Sequence, residues 1–435
     1  MQQKRKCHFG NIEYTLFGMI IVLIILGIVY LILKKVLNIR NNKNIDIIII
    51  FLTILLIPFL YYISIHYSYR PGWDIDIILK NIEYMLSNNT DKIMHGYYSR
   101  YANNLYITYI FLNIYKLSLN IGIQNGYFLL LFIQSIMFSL GGLLIYKIAD
   151  MHFKERYKIY SICTWILYIL LVGLSPHIVL TYTDGIGMFL SLLLTYIIFK
   201  IENIKMLKKN KKVITKAILT LLFTNLTIIS YYIKPQIIII SIAYAIIESL
   251  NMLGIIIKTW KNKDKIKKDY YRDFFKNNIY YVFLIILVIF TGSMTYLSIR
   301  KANDSMGIKV DREKRFNITH YAMLGWNSES KGVFTIKDEN FSGKYEKLKE
   351  REKANIEELL RRIKQMGIGG VINQIVRKTL TNYNDGTFSG VATFVYIRKE
   401  YRIEGLNSKL NEILKNIYYE ILYIHNLFSV CGWEY

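Results

Sequence analysis

The chain is poor in cysteine, proline, histidine and acid. Three Cys and four Pro among 435 residues exclude a small secreted fold stapled by disulfides. Cys7, Cys163 and Cys431 stand far apart and suggest no structural bridge. The seven His are scattered, with no HExxH and no paired CxxC, so no metal site is expected and no cofactor is called for. A divalent ion is left open by the chemistry. No glycine-rich phosphate loop follows a strand, which argues against a nucleotide-linked donor. Acid is scarce as well: 31 Asp and Glu face 55 Lys and Arg, a formal net charge of +24. A soluble nucleic-acid binder of that charge would spread it over one continuous surface. Here it falls in short bursts between long apolar runs, so no nucleic-acid partner is expected. At 53% hydrophobic residues the chain is no disordered polymer. The pattern is that of an all-α integral membrane protein, multi-pass in the cell membrane.

Eight segments approach the roughly 20 apolar residues that a bilayer-spanning helix needs. They run Tyr14–Leu33, Ile45–His66, Gly126–Ile148, Ile159–Val179, Asp184–Ile201, Ile214–Ile233, Pro235–Met252 and Ile279–Ile299. The Lys4-Arg5-Lys6 start leads into the first of them and not into a cleavable signal. A further apolar stretch, Ile417–Val430, is short of a span and reads as a truncated further helix or one lying on the membrane surface. Lys and Arg collect in every second connection: Lys34 to Lys43, Lys154 to Lys158, Lys205 to Lys216, and Lys258 to Lys268. Those connections belong in the cytoplasm. The alternate ones, Tyr67–Asn125, Leu180–Thr183 and Tyr232–Lys234, then face outside, together with everything after Arg300. The same parity puts the basic N-terminus outside, against the rule that orients the other loops.

The outer loop Tyr67–Asn125 has two helical patterns. Ile75, Ile78, Leu79 and Ile82 recur on one face of Asp74–Leu86, with Lys80 and Glu83 on the other. Leu105–Leu117 is about 13 residues, too short to span, and its Tyr106, Tyr109 and Tyr115 suit a helix lying flat in the headgroup region. A polar turn, Ser87–Arg100, joins the two. Residues 1–299 thus read as a transmembrane domain and 300–435 as a small, mostly helical extracytoplasmic region. In that region Glu346–Met366 is helical, Gly367, Gly369 and Gly370 end it, and Gly370–Leu380 carries a second helical pattern.

Four constellations carry chemistry, and each has a plainer reading. Asp74 and Asp76 in Arg70-Pro71-Gly72-Trp73-Asp74-Ile75-Asp76 are a carboxylate pair or helix-start caps beside an anchoring Trp. Arg100, Tyr101, Asn103 and Asn104 in Tyr97-Tyr98-Ser99-Arg100-Tyr101-Ala102-Asn103-Asn104 are an anion site or an aromatic belt with a solvated Arg. Asp184 in Thr181-Tyr182-Thr183-Asp184 is a substrate-orienting acid or a cap. Lys234 in Tyr231-Tyr232-Ile233-Lys234-Pro235 is a phosphate ligand or a snorkelling Lys before a helix-starting Pro. By the parity of the loops all four reach the same outer surface. There Arg and Lys can hold a lipid phosphate by charge-assisted hydrogen bonds, and a carboxylate can take the proton of an attacking alcohol.

The order of span, Trp-Asp, amphipathic helix, Tyr-x-Arg-Tyr-x-Asn-Asn, flat helix, span, Thr-Asp and Lys-Pro resembles glycosyltransferase superfamily C (GT-C). Protein O-mannosyltransferases and the aminoarabinose transferases of lipid A belong to it. More closely, the chain looks like the large multi-spanning members of low-GC Gram-positive bacteria, from Pro71-Gly72-Trp73-Asp74 and Tyr101-Ala102-Asn103-Asn104, where Ala102 replaces their Pro. His320–Asn327 (HYAMLGWN) and Asn384–Phe388 (NDGTF) are similar to their outer-domain motifs, which brings in His320, Asn384 and Asp385. The resemblance covers about Ile45 to Ser389. The large relatives usually continue through more spans.

The resemblance implies a multi-span bundle whose first long outer loop holds two interfacial helices over the active site. It implies a polyprenyl-phosphate sugar as donor and a cell-envelope polymer, lipid or protein as acceptor, with membrane lipids around both. Carried over, Asp74 is the base or acceptor-orienting acid, with Asp76 as runner-up. Arg100 and Lys234 contact the donor phosphate. Asp184, Tyr101, Asn103 and Asn104 orient substrate. Hexosyl or pentosyl transfer by direct attack at the anomeric carbon would invert that centre. A lipid-linked glycan polymerase or ligase shares the location and the spans. A transporter or flippase would carry ionisable residues near mid-membrane and repeated broken helices, whereas Asp46, Asp184, Lys234 and Glu248 stand at span edges.

Overall fold

The computed structural model describes residues 43–68, 72–153, 158–204, 209–261 and 268–383, with single positions at 27 and 31. Its regular structure is helical, with no strand among those residues. Apart from positions 27 and 31, the span expected at Tyr14–Leu33 lies outside the described residues, as do the stretch Ile417–Val430 and Arg70, Pro71, Asn384 and Asp385.

Thirteen α-helices are present among the described residues. The first seven are α1 (Lys43–Tyr67), α2 (Asp74–Leu86), α3 (His95–Arg100), α4 (Leu105–Asn120), α5 (Gly126–His152), α6 (Lys158–Tyr168) and α7 (Thr183–Asn203). Then come α8 (Lys209–Ile233), α9 (Ile238–Lys261), α10 (Lys268–Asp304), α11 (Ile318–Gly325), α12 (Ile336–Gly343) and α13 (Leu348–Tyr383). Five are long and apolar enough to cross a membrane, over Asn44–Tyr67, Gly126–His152, Thr183–Asn203, Val213–Ile233 and Val282–Asp304. Two expected spans fall on shorter apolar helices, Lys158–Gly173 and Pro235–Asn251. In the first, α6 is continued by a π turn, Ile169–Gly173, and the helix then stops short of a span where the chain bends through a 3-10 turn at Pro176–Val179. That bend delivers Tyr182 and Asp184 to the end of the bundle.

Helix α5 is the hub, packed against α1, α4, α6 and α7. Gly141 and Gly142 let α6 come close: a Cβ on Gly141 would fall on the Tyr168 hydroxyl, which donates to the Phe138 carbonyl at 3.1 Å. At one end of the bundle Lys158, only 3% of whose side chain is exposed, lies 2.8 Å from the Asp150 carboxylate and 3.1 Å from Asp46. Lys147 and the Tyr146 hydroxyl also donate to Asp46, at 3.1 and 2.8 Å. Buried charges persist where they are paired and hydrogen-bonded, and this clasp ties the starts of α1 and α6 to the end of α5.

The opposite end is roofed by α2, α3 and α4. The stripe Ile75, Ile78, Leu79 and Ile82 is almost wholly buried, each such side chain being worth about 1.5–3 kcal/mol relative to water. It packs with Ile107, Phe111 and Leu112 of α4, and α4 in turn packs on α5, α8 and α10. Tyr115, expected at the headgroups, is buried and faces Gly126, whose Cβ it would meet. The apolar faces of α2 and α4 are therefore turned into protein. The stretch expected to be a plain polar turn folds into a 3-10 turn, Thr90–Lys92, and α3. Asn81, fully buried on α2, fixes it: its Oδ1 accepts from the Met94 N–H at 2.8 Å. Tyr98 Oη and Thr108 Oγ1, 3.0 Å apart, tie α3 to α4.

Helix α10 runs past the expected boundary at 299 to Asp304, and the polar region folds back over α3. The Lys309, Asp311 and Phe316 N–H groups donate to His95 Nδ1 (3.2 Å), Ser99 Oγ (2.9 Å) and the Arg100 carbonyl (3.0 Å). Inside this region the buried Arg351 guanidinium donates to the carbonyls of Ser342, Glu313, Arg315 and Tyr345. Helix α13 is interrupted where the sequence predicts a stop: Gly367 has φ +60°, ψ −179°, outside helical space and in a region that favours glycine.

Candidate functional site

Asp74 opens α2, yet it does not cap it. The cap position is Trp73, in extended conformation with no side-chain bond to the helix, and the Asp74 Oδ2 accepts instead from the Tyr182 hydroxyl at 2.9 Å. Asp184 likewise sits in the first turn of α7, whose cap is Tyr182, and its carboxylate is ion-paired with Lys234. Lys234 is held at the last turn of α8 by its own N–H, which donates to the Ser230 carbonyl at 2.8 Å ahead of the Pro235–Ile237 turn. The capping alternatives for both acids thus give way to side-chain partners from distant segments.

Around Asp74 stand phenols. Tyr97 of α3 is affected by Asp74 and also receives the Asn104 amide. Burial first, and then the Asp74 charge, pushes the Tyr97 and Tyr182 hydroxyls well above the usual tyrosine range. For Tyr101 burial is again the main cause, followed by Glu339, with Asp74 further off. Tyr321 of α11 is raised by burial and by Asp74 as well. These hydroxyls keep their protons at any physiological pH and so serve as donors toward a carboxylate or a bound anion.

Arg100 ends α3 with about half its side chain exposed, and its Nη1 lies 3.2 Å from Glu339 Oε1 on α12. Tyr101 Oη donates to that same oxygen at 3.2 Å. Asn103 donates to Asn104 Oδ1 at 3.0 Å, and Asn104 is almost fully buried, so this amide pair shapes the turn that carries Tyr101. Asp76 is half-buried, and its buried Oδ1 has no hydrogen-bond partner among the described residues.

The structure thus brings Asp74, Arg100, Tyr101, Asp184 and Lys234 to one end of the bundle. His320 is also there, in another capacity. It is buried, its Nδ1 is 2.7 Å from Ser342 Oγ, and its ring stacks on Phe316 at 4.2 Å between centroids. It therefore holds α11 to α12. Tyr97 and Tyr182 fall inside motifs legible in the sequence, although nothing there assigns them to Asp74. Tyr321 belongs to the HYAMLGWN segment. Glu339 has no sequence signal: it is one acid among many in a polar stretch. A cleft of about 390 Å³ opens elsewhere, between Asn327, Asp338 and Arg362 of the polar region; Asn327, the last residue of the HYAMLGWN motif, lines it, whereas Asp74, Arg100, Asp184, Lys234 and His320 do not. Among the described residues no group of three or more His, Cys, Asp or Glu is placed to hold a metal ion.

No curated protein matches this chain, and no solved structure does. A family model described as "Conserved hypothetical integral membrane protein" matches residues 5–428, almost the whole length. The chain therefore belongs to that family of conserved hypothetical integral membrane proteins.

Proposed function

We propose that the protein is a membrane glycosyltransferase of GT-C type, moving a sugar from a polyprenyl-phosphate donor to a cell-envelope acceptor at the outer face. The observation that carries this reading is that a carboxylate free of any capping role, Asp74, and two cations, Arg100 and Lys234, lie at the same end of a helical membrane bundle. Asp74 is the base, or the acid that orients the acceptor hydroxyl, with Tyr182 and Tyr97 fixing its position. Arg100 and Lys234 neutralise the donor phosphate and make polyprenyl phosphate a good leaving group. Asp184, through Lys234, sets where that cation sits. The acceptor oxygen attacks the anomeric carbon as the bond to phosphate breaks, its proton passes to Asp74, and the configuration inverts. The roof of α2, α3 and α4 keeps water from the donor.

The test is release of free polyprenyl phosphate from a polyprenyl-phosphate sugar by the purified chain with envelope acceptor. Asp74→Asn, at normal membrane levels, is expected to lower that release at least about 100-fold, the scale of a lost proton-transfer group. Full activity in Asp74→Asn removes the assignment of the base. A flippase or glycan ligase would release no polyprenyl phosphate from this donor.

A further inference from the structure

The cation assigned to the donor is already occupied by a carboxylate of the chain itself. Arg100 Nη1 and Tyr101 Oη converge on one oxygen, Glu339 Oε1, each at 3.2 Å. Two donors from adjacent residues aimed at a single point form an anion position. The contact is at the rim, with 49% of the Arg100 side chain and 20% of that of Glu339 exposed, so it can be reached from bulk solvent.

The surrounding structure does not depend on Glu339. Helix α12 is fixed by its neighbours: Asp338 pairs with Arg362 and accepts from Asn327 at 2.6 and 2.8 Å, and Ser342 bonds His320 and Asn355 at 2.7 and 2.8 Å. The Arg100 backbone is held by the Phe316 N–H. A swing of the Glu339 side chain therefore frees the anion position while α3 and α12 stay where they are. The second cation differs. Lys234 pairs with Asp184, itself 48% exposed at the side chain, and both stand at ends of bundle helices packed directly on one another, whereas Arg100 and Glu339 come from α3 and the polar region.

We propose that Glu339 is a built-in stand-in for phosphate, a gate whose carboxylate holds Arg100 and Tyr101 until the monophosphate end of a polyprenyl lipid replaces it. This rests on the reading of Arg100 as the donor-phosphate ligand. A phosphate monoester carries more charge and more acceptor oxygens than a carboxylate, so it can take both donors at once and expel Glu339 by exchange and like-charge repulsion. Until then the position is closed to weaker anions.

The test is equilibrium binding of farnesyl phosphate, a short polyprenyl monophosphate, and separately of inorganic phosphate, to the purified full chain in detergent. Wild type is compared with Glu339→Gln, Glu339→Ala, Arg100→Gln and the Arg100→Gln/Glu339→Gln double variant. Glu339→Gln keeps an acceptor for Tyr101 and removes the competing charge, so farnesyl phosphate is expected to bind about fivefold more tightly, the range of one rim ion pair. Glu339→Ala should do likewise, and the gain should vanish when Arg100 is also replaced. Unchanged or weaker binding in both Glu339 variants, with wild type still binding, overturns the gate and leaves the donor site standing. No binding to any of the proteins overturns both. Inorganic phosphate binding as tightly as the lipid, with the same Glu339 effect, supports the exchange and overturns the lipid as its source.

Discussion

A single imidazole shows how the polar region is coupled to pH. His320 is 1% exposed, and burial lowers its basicity below the usual value; Arg351 adds to that, while Asp338 and Glu339 oppose it. The folded region thus keeps His320 neutral where the unfolded chain would protonate it. More protons bind the unfolded state, so stability rises with pH. The contribution is complete above the ordinary imidazole pKa of about 6.5 and is lost as pH falls below it. Asp338 adds a second loss at lower pH. Its own desolvation is outweighed by Arg362 and Asn327, which hold its carboxyl below the usual range, so its stabilisation disappears only under stronger acid. The protection of residues 318–355 against hydrogen exchange, corrected for the intrinsic pH dependence of amide exchange, should therefore fall between about pH 7 and pH 5 in the purified protein. His320→Gln, which can still bond Ser342, should flatten that profile. An equally steep profile in the variant would locate the sensitive group elsewhere.

Helices meet as closely as their smallest residues allow, and the α5–α6 contact depends on Gly141. Its missing Cβ leaves the place that the Tyr168 ring occupies. Gly141→Ala should destabilise the protein by about 1–3 kcal/mol through overpacking, read as a lower thermal midpoint in detergent. Adding Tyr168→Phe, which removes the hydroxyl nearest the new methyl, should recover part of the loss. No recovery would mean that the backbones themselves are forced apart. Much at this scale was legible beforehand. The stripe on α2, the break at Gly367 and the long spans follow from periodicity, chain stiffness and hydropathy. What periodicity leaves out is the partner of an apolar face: lipid and a neighbouring helix select the same residues, so the burial of Tyr115 and of the α2 stripe had no signature. The π turn that continues α6 and the bend at Pro176–Val179 lie inside a continuous apolar run, where hydropathy reads a span. The site divides in the same way. Asp74, Arg100, Asp184 and Lys234 stand out because they fall in short aromatic motifs in the connections that are otherwise poor in basic residues, whereas Glu339 lies in a stretch where acid is ordinary and is selected only by the fold.

For the whole molecule one geometric fact orders the rest: the two polar centres stand at opposite ends of the bundle. The clasp of Asp46, Lys147, Asp150 and Lys158 joins the starts of α1 and α6 to the end of α5, beside the basic connections. The Asp74 end gathers α2, α3, α4, the start of α7 and the end of α8. A single decision of sidedness therefore orients every described element. The connections rich in Lys and Arg adjoin the clasp in sequence, so the charge rule predicts a cytoplasmic clasp, and the proposed transfer requires the Asp74 end to lie outside. Single cysteines in a variant lacking Cys7, Cys163 and Cys431 check this. Asp91→Cys beside α3 and Glu329→Cys in the polar region, both exposed, should react with a membrane-impermeant maleimide in intact cells. Asn203→Cys at the end of α7, exposed at the opposite end, should react only after permeabilisation. The reverse pattern would put Asp74 and Arg100 in the cytoplasm and end the case for transfer at the outer face. Opposite behaviour of Asp91→Cys and Glu329→Cys would contradict the contact between Arg100 and Glu339, because no ion pair bridges a bilayer some 30 Å thick.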